Sequence, residues 1–429
     1  MNKQITAVLI TVSTLACLCA CGGEKPELEP VSVQTESSEG SSVRETEKAR
    51  LTRSDSHIMG KLDDKFDVDA YVLNEKKELP AYYILNRINL TEDQLAEKLM
   101  SKSGYVREDK DLGIVTFAND DERLVIDLAG KTNPMYLSPN LTYASADMGK
   151  YYEFVFRGSV ANTNEGADSA EAAKAVSLVK EMLNKLPVQY HDDFEVEKID
   201  SADLNSRYSV FKRFREQNDI DIPDENKDKI AKLDRSILNG NLLLLTEGKN
   251  AELDKDFIFS EDNSCFLVCG FMKADDLQIN TPGTYPDPSI KAVVSSRGIE
   301  YLYIEDLYIP DNGSLEEAPL ISPEQAIEAV YKDYAASPNK DNFRVKIEQI
   351  SLNYLKEEKQ TGTDYMFDDK ATAPSSVKLR PAWTVKMAIS NLERQDGING
   401  QETKVYADNG KVVISYFEEE NAITFKFEP

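Results

Sequence analysis

Two periods of apolar residues alternate along this chain, and they predict its elements. "DVDAYVL" (67–73) alternates polar and apolar side chains, and "AYYILNRI" (81–88) is a short apolar run; both predict strands. Thr91-Glu92-Asp93-Gln94 has the form of a capping box and predicts a short helix through Met100. "GIVTFAND" and "RLVIDLAG" predict a hairpin turning at Asn119–Glu122, and "YYEFVFRGSV" (151–160) predicts a further strand. Asp168-Ser-Ala-Glu171 opens a second helix by the same capping logic. Its stripe is Ala172, Ala175, Val176, Val179, Met182, Leu183 and Leu186, and it ends before Pro187. "DFEVEKI" (193–199), "SCFLVCGFMK" and "SIKAVVSSRGIEYLYIEDLYI" predict strands, with a charged, helix-prone span over 201–250 broken at Pro223.

The last part of the chain is the most regular. Ser322 stands at the N-cap, Pro323 at the first helical position and Gln325 two residues on, ahead of an apolar stripe of Ala326, Ala329, Val330 and Tyr334. "FRVKIEQISLNYL" (343–355), "KLRPAWTVKMAIS" (378–390), "TKVYAD" and "KVVISYF" follow as strands, and the insertion between the first two reads as a loop. The expected fold class is α+β: two or three units of helix packed on mostly antiparallel sheet. The divisions expected are a leader over 1–20, an acidic disordered tether over 21–57, and units over 58–165, 166–318 and 319–429.

The second and third units share an order of capped helix, strand, insertion, apolar strand and Gly-centred hairpin. "VVSSRGIEYL" (293–302) aligns with "VYADNGKVVI" (405–414), Gly298 on Gly410. Two readings stand, an internal duplication and convergence on generic helix-plus-hairpin grammar.

Charge narrows the partners. The formal net charge of −26, from 76 acidic and 50 basic residues, argues against nucleic acid, because phosphate binding needs a basic surface. It also argues against broad adhesion to anionic headgroups. The long apolar run Ile5–Ala20, behind Lys3, has the length of a signal-peptide core and is short for a membrane span. It ends in Leu18-Cys19-Ala20-Cys21, which resembles the lipobox of bacterial lipoproteins. That resemblance implies cleavage before Cys21 and acylation of Cys21 with palmitate-type chains. It places the mature chain on the extracytoplasmic face of the cell membrane, held by its lipid anchor. Residues 22–56, rich in Glu, Ser, Pro and Thr, cannot bury enough apolar surface to offset their ordering entropy and read as the tether.

Ser322, Ala326, Pro381, Trp383, Asp408 and Gly410 occupy positions that resemble a PepSY-type module, over about residues 319–417. The layout as a whole is similar to uncharacterised lipoproteins of Gram-positive bacteria that carry such repeats. Relatives of that module regulate peptidases or sensor kinases outside the cell or have no assigned role, and none is established as an enzyme through the module itself, so the resemblance implies a non-enzymatic regulatory module. "ADNG" and the long insertion depart from the usual pattern.

Catalytic signatures are weak throughout. The only histidines, His57 and His191, sit in polar surroundings expected to be exposed, and neither completes a triad or a zinc site. Ser375-Ser-Val-Lys378 has Ser-x-x-Lys spacing, but Lys378 leads into a strand and points away from the Ser. "DIDIPDENKD" (219–228) spaces acids like a calcium loop but has Asp224 where Gly is needed. Cys265 and Cys269, on one face of a strand, lie about 13 Å apart, too far to bridge, and are expected as buried thiols. No catalytic residue, metal ligand set or cofactor is assigned. Trp383 and Tyr331 are the candidate contact aromatics, with a core role as the alternative.

The expected function is that of a non-enzymatic binding or regulatory module for a protein partner in the cell envelope, reached by strand addition at sheet edges. The second reading is a tethered solute- or cation-binding lipoprotein. A hydrolase with two dispersed carboxylates is the third, and it needs two carboxyls converging in a cleft.

Overall fold

The computed structural model describes residues 51–417 apart from 102, 110–112, 131–137, 153–168, 218–255, 281–287, 312–316, 339, 358–372 and 393–395. The leader, Cys21, most of the tether, the acidic stretch 219–228 and most of the long insertion therefore lie outside the described residues.

The expected class of helices packed on sheets needs correction. Strands account for 49% of the structure and helix for 22%, which makes the chain mostly β, with broad sheets of eight and eleven strands. The reason is geometric. An eight-stranded sheet is about 34 Å across at ~4.8 Å per strand, whereas a helix with its side chains is only about 10 Å wide. Helices of eight to seventeen residues such as Glu92–Leu99, Ala170–Leu183, Ser201–Gln217 and Pro323–Ala336 cannot carry such sheets.

Contacts group the chain into two compact units, each drawn from separated segments: residues 1–77, 320–352 and 383–429, and residues 78–319 and 353–382. This differs from the three consecutive units that the order of elements suggests.

The unit over 78–319 is built on an all-antiparallel sheet. Its strand order is Glu195–Ile199, Cys265–Gly270, Ile290–Ser295, Gly298–Glu305, Asn140–Ser145, Glu122–Asp127, Val115–Ala118 and Val106–Asp109. It consists of two four-stranded meanders, each following a capped helix, joined through their last strands. Tyr301 pairs with Ala144 and Glu305 with Asn140 across that junction. The helical turn Gly149–Tyr152 lies on it, and a Cβ on Gly149 would come within 2.6 Å of the Ala144 Cβ, so the close approach requires glycine. The predicted strand over 151–160 thus begins in a helical turn, and its remainder is outside the described residues.

The other unit repeats the plan. Helix Pro323–Ala336 is followed by Phe343–Glu357, Ser376–Asn391, Asp396–Tyr406 and Val412–Ile414, neighbours in that order with the last two antiparallel; of the first two strands, residues 343–352 and 383–391 belong to this unit. Strands Phe66–Leu73, His57–Asp63 and Thr52–Ser54 extend this sheet beyond Phe343–Glu357, the first of them in parallel. One capped helix followed by four meandering strands therefore occurs three times along the chain. The hairpins at Gly298 and Gly410 each carry a register irregularity, between Val293 and Val294 and between Lys404 and Val405, one residue out of step when the two glycines are aligned.

The caps form as the sequence dictates. Thr91 with Gln94, and Ser322 with Gln325, make both bonds of the capping box, and Pro323 opens its helix. For the second helix the cap is Ser169, which accepts from the Ala172 amide, one residue later than the expected start at Asp168.

Within the unit over 78–319 and 353–382, one buried ion pair ties distant segments together. Lys356 Nζ donates to Asp306 Oδ1 at 2.6 Å, the Ser138 hydroxyl donates to the same oxygen, and all three residues are buried. Removing one member of such a pair strands the other charge in a low-dielectric interior. Lys356→Met is expected to lower unfolding stability by about 3–5 kcal/mol, and adding Asp306→Asn should recover part of the loss; urea denaturation of the unaltered protein and the two variants measures both.

Candidate functional site

The strand Phe66–Leu73 alternates strictly. Phe66, Val68, Ala70 and Val72 are buried, and the opposite face presents Asp67, Asp69, Tyr71 and Leu73. The neighbouring strand His57–Asp63 is in register, with His57 opposite Tyr71, Met59 opposite Asp69 and Lys61 opposite Asp67. On the other side Gln349 stands opposite Tyr71 and Lys346 opposite Asp67. Because paired residues project to the same face, these strands assemble one surface.

That surface carries large apolar groups in the open. Tyr71 is 61% exposed, Met59 45% and Leu73 42%, three of the seven exposed large hydrophobics among the described residues. Tyr71 is held in place, since the His57 ring stacks on it with centroids 4.6 Å apart and planes at 15°. An aromatic fixed before contact loses little conformational entropy on binding.

The charges on the same face are paired with one another. Asp69 Oδ1 lies 2.9 Å from His57 Nε2, Asp69 Oδ2 lies 3.2 Å from Lys346 Nζ, and Lys61 Nζ lies 3.4 Å from Asp67 Oδ1. The bond from Lys346, followed by that from His57, holds the Asp69 carboxyl below its ordinary range. On a chain of net charge −26 this is an apolar surface with its local charge largely balanced.

The sheet edges are less inviting. Thr52–Ser54 is a three-residue edge strand, pinned where Arg53 forks onto Glu75 and reaches Glu324. At one edge of the eight-stranded sheet, Val106–Asp109 carries Arg107 paired with Asp93 at 2.6 Å and with Asp109 at 2.9 Å. At the other edge, Glu197 is paired with Arg207 at 2.6 Å. Val412–Ile414 is short and adjoins a register irregularity. Short length, charge and bulges are the usual devices against strand addition. An exposed sheet face fits contact better here than an edge does.

The residues singled out in the sequence fall elsewhere. Trp383 is fully buried and donates from Nε1 to the Ile321 carbonyl at 3.1 Å, so it is a core side chain rather than a docking aromatic. Tyr331 is half-buried, edge-on to Phe66 at 5.3 Å, and contributes to the same core. Cys265 and Cys269 are buried free thiols on one strand, and burial pushes the Cys265 thiol well up. His191 lies near Asp193 at 3.5 Å in a polar turn. Lys378 sits in the strand Ser376–Asn391 with Glu357 at 3.4 Å, consistent with a chance Ser-x-x-Lys match. Among the described residues no group of three or more His, Cys, Asp or Glu could hold a metal ion. No described helix is long and apolar enough to cross a membrane. Tyr71 was legible as part of a strand, but its exposure was not, because alternation alone does not say which face of a strand is covered.

No family model matches this sequence, and no curated protein matches it. Among solved structures, the chain is similar to an uncharacterised protein from Eubacterium rectale, with 14% identity and a TM-score of 0.44 over 83% of this chain and 93% of that one.

The Asp69 linkage has a defined sign. A carboxyl whose folded pKa is depressed contributes stability that is present above its unfolded pKa and is lost as pH falls through the folded value. Carboxyl-detected NMR titration should place Asp69 below its ordinary value of 3.8, and Lys346→Ala should move it back up.

Proposed function

We propose that this chain is a lipid-anchored protein of the extracytoplasmic membrane face that binds and regulates a protein partner of the cell envelope, without catalysing a reaction itself. The lipobox-like Leu18-Cys19-Ala20-Cys21 supports the anchoring. Two or more acyl chains, at about 0.8 kcal/mol per buried methylene, make attachment effectively stable, so the folded part needs no membrane-binding face. The resemblance of residues 319–417 to a PepSY-type module supports the regulatory role.

The observation that carries the binding reading is the face built by Met59, Tyr71 and Leu73. Tyr is enriched at interface hot spots, and Met repacks readily against different surfaces. The paired charges around these residues limit the repulsion that the chain's acidity would otherwise impose on an approaching acidic partner.

Two outcomes test the proposal. Cys21→Ser should move the mature protein from the membrane fraction to the soluble fraction, and continued partitioning with membranes would contradict the anchor. Tyr71→Asp should leave the unfolding midpoint nearly unchanged while weakening partner binding roughly 30-fold or more, the effect of losing a hot-spot residue worth at least 2 kcal/mol. Binding of the captured partner, measured by surface plasmon resonance on both forms, decides this; equal affinity for both would rule the face out.

A further inference from the structure

In the unit over 78–319 and 353–382, four segments bring two phenols and two carboxylates together. Tyr83 lies on the strand Tyr83–Arg87, and Tyr354 lies on Phe343–Glu357. Their ring centroids are 5.8 Å apart, with planes tilted at 55°. The hairpin of Lys273–Ala274 and Leu277–Asn280 lies alongside, with Ile279 paired to Tyr354 and Asp275 in its turn at φ 50°. Asp311 joins from the other side, its amide donating to the Ile84 carbonyl at 2.8 Å.

Tyr354 is fully buried, yet its hydroxyl has no hydrogen-bond partner among the described residues. A buried hydroxyl left in this condition costs about 1–3 kcal/mol, a cost that a bound water, ion or ligand group removes. Tyr83 is half-buried above it, while Asp275 and Asp311 are exposed, and neither carboxylate is ion-paired among the described residues. Burial first and then the Asp275 carboxylate push both phenols upward, with Asp311 adding to the effect at Tyr83. The negative field of the two aspartates thus reaches the aromatic pair.

We propose that Tyr83, Tyr354, Asp275 and Asp311 form a binding site for an organic ammonium group. The ring faces attract a cation through their quadrupoles, an attraction that grows when the cation is desolvated. The two carboxylates supply the balancing charge, and the Tyr354 hydroxyl supplies the lone pair that a primary ammonium would use. Rotation of the half-buried Tyr83 ring opens the way to that hydroxyl, a side-chain movement of the fast kind. Two carboxylates beside two aromatic rings suit an alkylammonium better than a small hard metal ion, which needs more oxygen ligands than this set provides. The site is distinct from the Tyr71 face and stands whether or not that face binds a protein.

The test uses ethanolamine and choline as probes on the full-length protein, with KCl and MgCl2 at matched ionic strength as controls. Saturable binding of one or both amines by calorimetry, with a rise in melting temperature that the salts do not reproduce, is expected. Asp275→Asn should weaken binding about tenfold, the loss of roughly 1.4 kcal/mol. Tyr354→Phe should weaken ethanolamine binding while leaving unliganded stability unchanged or higher, because the hydroxyl it removes is unpartnered. An absent or salt-like response would overturn the proposal, as would unaltered binding in both variants. Marked destabilisation by Tyr354→Phe would show instead that the hydroxyl has a structural partner.

Discussion

A helix about 10 Å wide cannot cover a sheet seven or eight strands broad, and much of this molecule follows from that mismatch. Helix Ala170–Leu183 lies across the four strands of its own meander, and Glu92–Leu99 lies on Glu122–Asp127 of the other. In the unit over 78–319 the two meanders join through Asn140–Ser145 and Gly298–Glu305. Buried polar residues bracket that junction. At one end Glu122 stands opposite Ser145, whose hydroxyl donates to Glu300 at 2.5 Å, and at the other Asp127, Asn140 and Glu305 lie in one row. A one-residue slip would send each of these side chains to the opposite face, so the rows fix the register as firmly as the apolar residues between them.

In the other unit the same shortage of cover leaves an open face. The first strands of the folded part, Thr52–Ser54, His57–Asp63 and Phe66–Leu73, widen the sheet beyond its meander. Their inner residues enter the core, where Phe66 packs on Tyr331 and Tyr334. Their outer residues remain in water. Asp67, Asp69, Lys61, Lys346 and His57 keep that side soluble, and Tyr71, Met59 and Leu73 stand among them. Apolar side chains so exposed, and an aromatic already stacked in place, are the features on which the proposed docking face rests.

Much of the local structure was legible in the sequence. Thr91 and Ser322 announce their helices because a capping box satisfies its own orphan amides within four residues, and the turns at Asn119 and Gly298 are equally local. The breadth of the sheets was not legible. Which meander pairs with which depends on contacts between residues far apart, such as Tyr301 with Ala144, and no periodicity encodes them. Trp383 shows the same limit at a candidate site. Its Pro-x-Trp setting singles it out, but only the fold reveals that the indole is buried against Ile321. Tyr71 sits in an ordinary alternating strand, and it becomes conspicuous only through its exposure among the described residues.

The central claim is that the Tyr71 face is where a protein partner docks. A photoreactive amino acid placed at position 71 in living cells is the decisive probe, with the exposed position 258, in the other unit, as control. A crosslink from position 71 to one predominant envelope protein is expected, lost when Met59 and Leu73 are changed to Asp. No crosslink from position 71, or the same products from both positions, would contradict it.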